Sequence, residues 1–264
     1  MPHSYPTFPE CLPQGTDLRS GHYQAEFATS TSEVEDVQRL RYEVFNLELG
    51  EGLEESHQTQ RDIDPYDDFC HHLLVRDTRN GDIVGTYRMQ LQPMATAGIG
   101  FYSDSEYQLD GFPSDIRDNA CELGRACISE THRNGRVLFL LWRGLLNYLL
   151  TNNLRYFFGC CSLTSQDPIE GWALYTRLKR AGHLLPDMSI PVREAFICES
   201  EELTEFQIAD VMIPRLMRLY LDYGALICSE PAIDREFKTI DFLALFDLNH
   251  LPPKLRKIFQ KDLR

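Results

Sequence analysis

Residues 122–150 carry ionisable side chains on a predicted strand, turn and helix that would place them at the protein surface. A strand predicted over residues 122–129 leads into a basic turn and then a helix predicted from Val137 to about residue 152. Helix N-termini offer backbone N–H groups without an intrahelical partner, and the helix dipole favours negative charge there. Arginine adds direct phosphate contacts. The turn therefore predicts a site for a phosphate-bearing cofactor, such as the pantetheine arm of coenzyme A or of an acyl carrier protein. Its candidate residues are His132, Arg133, Asn134, Gly135, Arg136 and Val137.

The net charge of −14 is unevenly distributed along the chain. The first 70 residues hold 15 acidic and 4 basic side chains, whereas residues 125–180 hold eight basic and three acidic ones. An acidic protein with a basic central region is a poor nucleic-acid binder, but it suits docking of an acidic carrier protein. The alternative is that these arginines are scattered over a solvated face.

Cysteine and histidine spacing gives no support for a metal site. The eight cysteines form no C-x-x-C pair, and the eight histidines form no H-E-x-x-H motif. No apolar run reaches the length of a membrane span, and the first residues lack the apolar segment of a signal peptide. We therefore expect a reduced, cytoplasmic chain without a bound metal.

Hydrophobic periodicity divides the chain into alternating strands and helices. Strands are predicted over residues 23–30, 70–75, 82–91, 122–129, 154–163, 192–198, 225–228 and 239–246. Helices are predicted from Ser32 to the glycines at 50 and 52, then over residues 137–152, 168–181, 214–223 and from 252 to the end. Residues 51–68 and 93–119 are predicted to be irregular. This order predicts an α/β sandwich around one mostly antiparallel sheet.

Four short motifs follow one another in a recognisable order: R-x-x-x-F at Arg41 and Phe45, D-x-[FY]-D at Asp64 and Asp67, G-x-x-R ending at Arg88, and E-x-x-R at Glu122 and Arg125. The chain resembles the GNAT acyltransferase superfamily, and within it the ornithine N-acyltransferases and, more distantly, the acyl-homoserine lactone synthases. The tail is similar to the ornithine N-acyltransferases only, at Pro214, Tyr220, Gly224, residues 230–231, Asp234, Phe237 and residues 239–242. Together these motifs span roughly residues 23–246.

The resemblance implies a GNAT-like α/β (α+β) fold, with a mixed, mostly antiparallel central sheet flanked by helices. The expected organisation is a loosely ordered arm over residues 1–22, the acyltransferase domain over residues 23–250, and a basic amphipathic helix over residues 251–264. Two departures matter. The tryptophan that follows R-x-x-x-F in the lactone synthases is absent, and the turn has fewer glycines than a typical acetyl-CoA loop. The second departure favours a carrier-protein donor over coenzyme A.

The implied reaction is attack of an amine on a thioester, which requires orientation, proton removal and stabilisation of an oxyanion. Glu122 and Arg125 are the candidate catalytic residues. Glu122 is either the general base, acting directly or through water, or a structural ion-pair partner of Arg125 or Arg88. Residues three apart on a regular strand face opposite sides. A joint role therefore requires a β-bulge, which we expect at Gly124.

The remaining motif residues are candidates for substrate binding: Arg41, Phe45, Asp64, Asp67 and Arg88. They are expected either to bind the amino and carboxylate groups of an amino acid or to pin the acidic 51–68 loop by ion pairs. For Phe45 a place in the core is favoured over contact with the substrate. Cys160 and Cys161 are expected to fill the sheet, with an acyl-cysteine intermediate as the alternative.

The implied function is transfer of a fatty or 3-hydroxy-fatty acyl chain from acyl carrier protein, or from coenzyme A, to the α-amine of ornithine. The product would be a lyso-ornithine lipid. No tightly bound cofactor is expected, because the acyl-phosphopantetheine is a co-substrate. The alternatives are a lactone-type signal synthase, an N-acyltransferase for another amino acid such as glycine, and a non-catalytic carrier-binding module. The basic helix at residues 253–264 would either contact the inner face of a membrane or pack on the domain.

Overall fold

Nine strands form one sheet in the computed structural model of the protein, which describes residues 5–14, 18–199 and 202–259. They are β1 (Leu18–Ser20), β2 (Tyr23–Phe27), β3 (His71–Asp77), β4 (Ile83–Leu91), β5 (Ala120–Ile128), β6 (Tyr156–Leu163), β7 (Leu226–Ile227), β8 (Ala232–Asp234) and β9 (Thr239–Asp247). Their order is β1-β2-β3-β4-β5-β6-β9-β7, and β8 pairs with β9. Every pairing is antiparallel except β5 with β6. The predicted mostly antiparallel sheet is confirmed.

Helices cover both faces of this sheet. They are α1 (Thr31–Tyr42), α2 (Ser56–Thr59), α3 (Gln92–Ala97), α4 (Ser103–Glu106), α5 (Ser114–Arg117), α6 (Arg136–Thr151), α7 (Pro168–Arg180), α8 (Glu205–Asp210), α9 (Arg215–Asp222) and α10 (Pro253–Ile258). The apolar helix α6 crosses β1 to β5 and forms the largest core cluster with them. A Cβ at Gly144 would lie 2.7 Å from the end of the Leu73 side chain, so a larger residue there would require Leu73 to move.

Helix α1 lies on the opposite face and delivers Arg41 to the interior. Its cap is Ser30, whose side chain accepts the N–H of Glu33 while the Glu33 carboxylate accepts the N–H of Thr29. The helix predicted from Ser32 therefore begins one residue earlier, at Thr31, directly after the Ser30 cap. A π-helical segment, Glu43–Leu49, continues α1 and ends at Gly50, which is left-handed.

The strands β5 and β6 separate partway along their length. They pair only at Ala120 with Tyr156, Cys121 with Phe157, and Glu122 with Phe158. Beyond that point β6 continues to pair with β9, while β5 continues to pair with β4. A V-shaped opening therefore forms in the middle of the sheet.

Several sequence predictions fail in detail. Residues 192–198 form isolated bridges and a short 3-10 turn (Glu194–Phe196) rather than a strand, since Pro191 precedes them and Arg193 donates its N–H to Glu106 instead of to a strand. Residues 93–119 are not irregular throughout, because most of α3 and all of α4 and α5 lie there. Within the arm predicted over residues 1–22, residues 18–20 are ordered as β1 on the sheet edge.

The C-terminal helix α10 packs one aromatic residue into the domain. Phe259, just beyond it, is buried and stacks on Phe139 at 5.6 Å between ring centroids, whereas Ile258 is exposed. These contacts favour packing on the domain over membrane contact; residues 260–264 of the predicted amphipathic helix lie outside the described residues. None of the helices in the described ranges combines the length and apolar character needed to cross a membrane.

Candidate functional site

The opening between β5 and β6 contains a cavity of about 190 Å³. One wall is residues 123–126 of β5, and the facing wall is residues 159–162 of β6. The two walls meet at Gly159, where a Cβ would lie 2.1 Å from the carbonyl oxygen of Leu123. Only glycine fits at this contact. Because strand pairing ends here, β5 has no neighbouring strand on this side of the opening.

A β-bulge in β5 changes the direction of the side chains in this wall of the cavity. Arg88 pairs with Gly124 and Thr86 pairs with Cys127, so two residues of β5, Arg125 and Ala126, oppose Tyr87 alone. Arg125 adopts a left-handed φ of 49°. The predicted bulge is therefore present but one residue further along than Gly124, which keeps its strand pairing. The extra residue turns the Arg125 side chain into the cavity.

The motif residues converge on a buried set of alternating charges, which we call the Arg/Asp network: Arg41, Arg88, Arg125, Asp62, Asp64 and Asp67. Arg41 donates from Nε to Asp62 at 2.6 Å and from Nη1 to Asp67 at 2.9 Å. Arg88 pairs with Asp64 and Asp67, and Arg125 reaches Asp64 at 2.9 Å. Each arginine therefore bridges two aspartates.

The network ties the 51–68 loop to α1, β4 and β5. Burial opposes ionisation of Asp67, but the guanidinium groups of Arg41 and Arg88 outweigh it and hold the pKa of Asp67 well below its usual range. Only Arg88 and Arg125 of this network line the cavity. The contacts of Arg41, Asp64 and Asp67 favour the loop-pinning role over direct contact with an amino acid.

Glu122 does not line the cavity. It occupies the last residue pair before β5 and β6 separate, and both carboxylate oxygens accept backbone N–H groups at the start of α4: Oε1 from Ser103 at 2.7 Å and Oε2 from Tyr102 at 3.0 Å. Burial raises the pKa of Glu122, and the hydrogen bonds from Ser103 and Tyr102 oppose the rise. Its direct contacts are those of a residue that positions α4.

Arg125 lies between two aromatic rings. Its guanidinium carbon is 4.9 Å from the ring centroid of Tyr102 and 4.4 Å from that of Phe237. Phe237 also contacts Phe45 edge-to-face at 5.4 Å. Phe45 is 7% exposed and lines the cavity, so it is both a core residue and part of the site.

The predicted phosphate turn lies at the N-terminus of α6. Gly135 caps the helix with a φ of 79°, and the side chain of Asn134 accepts the N–H of Arg136 at 3.1 Å. Arg133 forms a bidentate pair with Glu48 of the π-helical segment. His132 lies 3.7 Å from Asp77. The turn is exposed and has the predicted local shape, but its most prominent arginine already has an acidic partner.

A second group of ionisable residues was not predicted. Glu106, Asp234 and Asp241, which we call the acidic cluster, lie close to Cys160, and of these residues Asp241 and Cys160 line the cavity. Burial and the neighbouring Asp234 raise the pKa of Asp241 to about 7. Burial and Asp241 raise the pKa of Glu106 well above its usual value. Burial and Glu106 also raise the pKa of the Cys160 thiol, which argues against an acyl-cysteine intermediate.

The opposite part of the cavity wall is mostly aromatic and aliphatic: Tyr87, Leu123, Trp142, Phe157, Leu216, Met217, Tyr220, Ala225, Ala244 and Phe246. The hydroxyls of Tyr87 and Tyr220 are 2.7 Å apart and satisfy each other. This wall suits an acyl chain, whereas the acidic cluster and Arg125 give the other side a polar character. The cavity is therefore amphipathic.

Comparison with known proteins identifies what the chain is similar to. Residues 40–143 match a family model described as an acetyltransferase (GNAT) domain. The chain is 31% identical over 244 residues to an L-ornithine N(alpha)-acyltransferase of Brucella abortus, covering 88% of this chain and 87% of that protein. It is 31% identical over 252 residues to the protein of the same name from Rhodobacter capsulatus, covering 90% and 95%. A solved CoA-dependent acyl-homoserine lactone synthase aligns at a TM-score of 0.47 and 16% identity, covering 87% of this chain and 81% of that one.

The two matches cover 88% and 90% of this chain and 87% and 95% of the relatives. The protein is an acyltransferase that acts on the amino group of an amino acid. The chain belongs to the family of the L-ornithine N(alpha)-acyltransferases within the GNAT superfamily.

Proposed function

We propose that the protein transfers a fatty or 3-hydroxy-fatty acyl chain from the thioester of acyl carrier protein to the α-amine of ornithine. The observation that carries this proposal is the amphipathic cavity between the splayed strands β5 and β6. In the reaction the amine attacks the thioester carbonyl, a C–N bond forms, the C–S bond breaks, and the thiol leaves with a proton. The relatives named above supply ornithine as the acceptor.

The donor would enter along the unpaired edge of β5, with its phosphate at the turn before α6. Support comes from the exposed helix N-terminus and its basic side chains, His132, Arg133 and Arg136. A carrier protein fits better than coenzyme A, because it presents a single phosphate together with an acidic surface. The Arg133 pair with Glu48 would exchange for the donor phosphate or for an acidic side chain of the carrier.

The thioester carbonyl would lie against the bulge at Arg125. A bulge leaves backbone groups unpaired, and N–H groups aimed at a developing oxyanion stabilise it. The guanidinium of Arg125 lies at the cavity wall and would bind the acceptor carboxylate there. Its tight packing between Tyr102 and Phe237 fixes its orientation.

Two residues are candidates for removing the amine proton. Glu122 was expected from its motif, but its oxygens hold α4. Glu51 lines the cavity, burial raises its pKa, and a hydrogen bond from the Thr164 hydroxyl partly opposes the rise. We infer that Glu51 is the base and that Glu122 is a positioning residue. The variant Glu51→Gln should lose about 100-fold or more in kcat together with the acidic limb of the pH profile. Glu122→Gln should keep that limb.

Mass spectrometry of a reaction with purified protein tests the function. Acylated carrier protein and ornithine should give the amide, and fragmentation should place the acyl group on the α-nitrogen. Parallel reactions with the acyl-CoA of the same chain compare the two donors through kcat/KM. Formation of a lactone from S-adenosylmethionine would instead support a signal synthase, and glycine acylation at equal efficiency would remove the ornithine assignment. Carrier binding without any amide would support the non-catalytic module.

A further inference from the structure

The acidic cluster brings carboxylates from separate elements to one end of the cavity. Glu106 ends α4, Asp234 ends β8, and Asp241 lies on β9. Ligand atoms of Glu106, Cys160 and Asp241 all lie within 4.8 Å of one another. Cys160 and Asp241 line the cavity itself, so the cluster opens onto the space assigned to the acceptor.

Two carboxylates of this cluster are incompletely satisfied. Asp241 is 3% exposed and Glu106 is 0% exposed, yet Asp241 Oδ1 and Glu106 Oε1 have no hydrogen-bond partner among the described residues. Asp234, in contrast, accepts the Tyr102 hydroxyl at 3.0 Å and the N–H groups of Glu236 and Phe237. Buried polar atoms are rarely left unpaired, and a buried carboxylate needs a charged partner.

No cation of the described chain supplies that partner. Across ranges 5–14, 18–199 and 202–259, no lysine or arginine lies within ion-pair distance of Glu106 or Asp241. The guanidinium of Arg125 lies beyond the Tyr102 ring and pairs with Asp62 and Asp64. The cavity therefore ends in carboxylates that have no cationic partner among the described residues, and a ligand with a positive charge could supply one.

We propose that the acidic cluster binds the side-chain ammonium group of a diamino acid acceptor, with Asp241 Oδ1 and Glu106 Oε1 as its hydrogen-bond acceptors. This inference rests on the proposed function and specifies how the same site recognises its acceptor. An ammonium group has three donors, which match the two unpartnered oxygens and leave one donor for a neighbour or water. A monoamino acid of the same length would leave both oxygens unpaired, and the site would reject it.

The proposal predicts how the KM for the acceptor depends on pH. Asp241 carries a proton below about pH 7 in the empty site, while an alkyl ammonium keeps its charge to far higher pH. Ornithine must displace that proton, so its KM should fall as the pH rises from 6 to 8. The groups that face Asp241 and Glu106 from the surrounding elements are Glu51, Tyr102, Tyr107, Cys160, Ser162, Asp234 and Thr239. None of them is cationic.

Steady-state kinetics with ornithine and with norvaline, which has the same carbon skeleton without the terminal amine, test the proposal. The wild-type protein should prefer ornithine by at least about tenfold in kcat/KM. Asp241→Asn should lower kcat/KM for ornithine by at least about tenfold, mainly through KM, and so reduce the preference. Glu106→Gln is the second variant should Asp241→Asn fail to fold. The exposed Asp110→Asn is the matched control and should keep the wild-type preference.

Three results would overturn the proposal. Equal kcat/KM for ornithine and norvaline in the wild-type protein would remove it while leaving the N-acyltransferase function intact. A stoichiometric divalent ion in the purified protein, lost in Asp241→Asn, would make the cluster a metal site. Absence of acylation of either amino acid would overturn the proposed function and this inference with it.

Discussion

The Arg/Asp network and the acidic cluster are both buried, both rich in carboxylates and both adjacent to the same cavity. They differ in charge balance. The network sets three arginines against three aspartates, and Arg41, Arg88 and Arg125 each bridge two of them. The cluster sets three carboxylates against no basic side chain of the described residues. The arginines therefore hold the pKa of Asp67 below its usual range despite burial, whereas burial without a cation raises the pKa of Asp241 to about 7.

This difference in charge balance assigns a mainly structural role to the Arg/Asp network and a ligand-binding role to the acidic cluster. In the balanced network every carboxylate has arginine partners, so its ion pairs hold the loop without a ligand. An unbalanced cluster is costly until a cation arrives, and such destabilised groups are typical of binding and catalytic sites. Because the cluster lacks a positive charge, we expect its ligand to carry one.

Breaking the network should have the largest effect on stability. Arg41→Met removes one of the two arginines that pair with each of Asp62 and Asp67, and it should cost about 3–5 kcal/mol in the free energy of unfolding, measured by urea denaturation. Because the pKa of Asp67 is held low, the loss should stay constant above about pH 5 and shrink as the pH falls below 4. The control is Arg39→Met, two residues away and half exposed, which should cost about 0.5 kcal/mol or less. A loss in Arg41→Met no larger than in this control would contradict the structural role.

Replacing Asp241 of the acidic cluster with a neutral residue should stabilise the ligand-free protein rather than destabilise it. The folded protein holds a proton on Asp241 up to about pH 7, whereas the unfolded chain releases it near pH 4. Folding stability is therefore progressively lost as the pH rises from 4 to 7. Asp241→Asn removes this loss, so the ligand-free variant should melt several degrees above the wild type at pH 8 and close to it at pH 4. A melting-temperature difference that does not change with pH would contradict an uncompensated Asp241.

An exposed ion pair should have the smallest effect. Arg133 and Glu48 are balanced like the network, but about a third of the Arg133 side chain is exposed. Arg133→Ala should change the free energy of unfolding by less than about 1 kcal/mol, yet it should raise the KM of the acyl donor. The exposed Arg117→Ala, which removes a pair at 3.4 Å, is the control for the donor KM. A raised donor KM in both variants would mean that bulk charge, not the turn, binds the donor.

The network was largely predictable from the sequence because its members lie in short motifs. Arg41, Asp64, Asp67 and Arg88 were expected together, and the structure adds Asp62 and Arg125 to them. The bulge in β5 was predicted as well, because three-residue spacing cannot put Glu122 and Arg125 on one face of a regular strand. Its position was missed by one residue, since Arg125 accepts the left-handed conformation that glycine was expected to take.

The acidic cluster could not be predicted in the same way. Asp241 belongs to the tail motifs, but its partner Glu106 is 135 residues away in a segment without helical or strand periodicity. The closeness of the two carboxylates depends on how α4 packs over β6 and β9, and Glu122 fixes that packing through the backbone of Tyr102 and Ser103. The sequence shows that Asp234 and Asp241 are present in the tail, but it does not show that the carboxylate of Asp241 lacks a cationic partner in the fold.

The position of a bound acceptor tests the account most directly. A crystal structure with ornithine and a non-reactive pantetheine donor would give the distance from the terminal nitrogen of ornithine to Asp241 Oδ1. We predict a charge-assisted hydrogen bond of about 2.7–3.2 Å, with the α-amine directed toward the opening between β5 and β6. A terminal nitrogen that lies in solvent, or that pairs with Asp64 of the Arg/Asp network instead, would contradict the account.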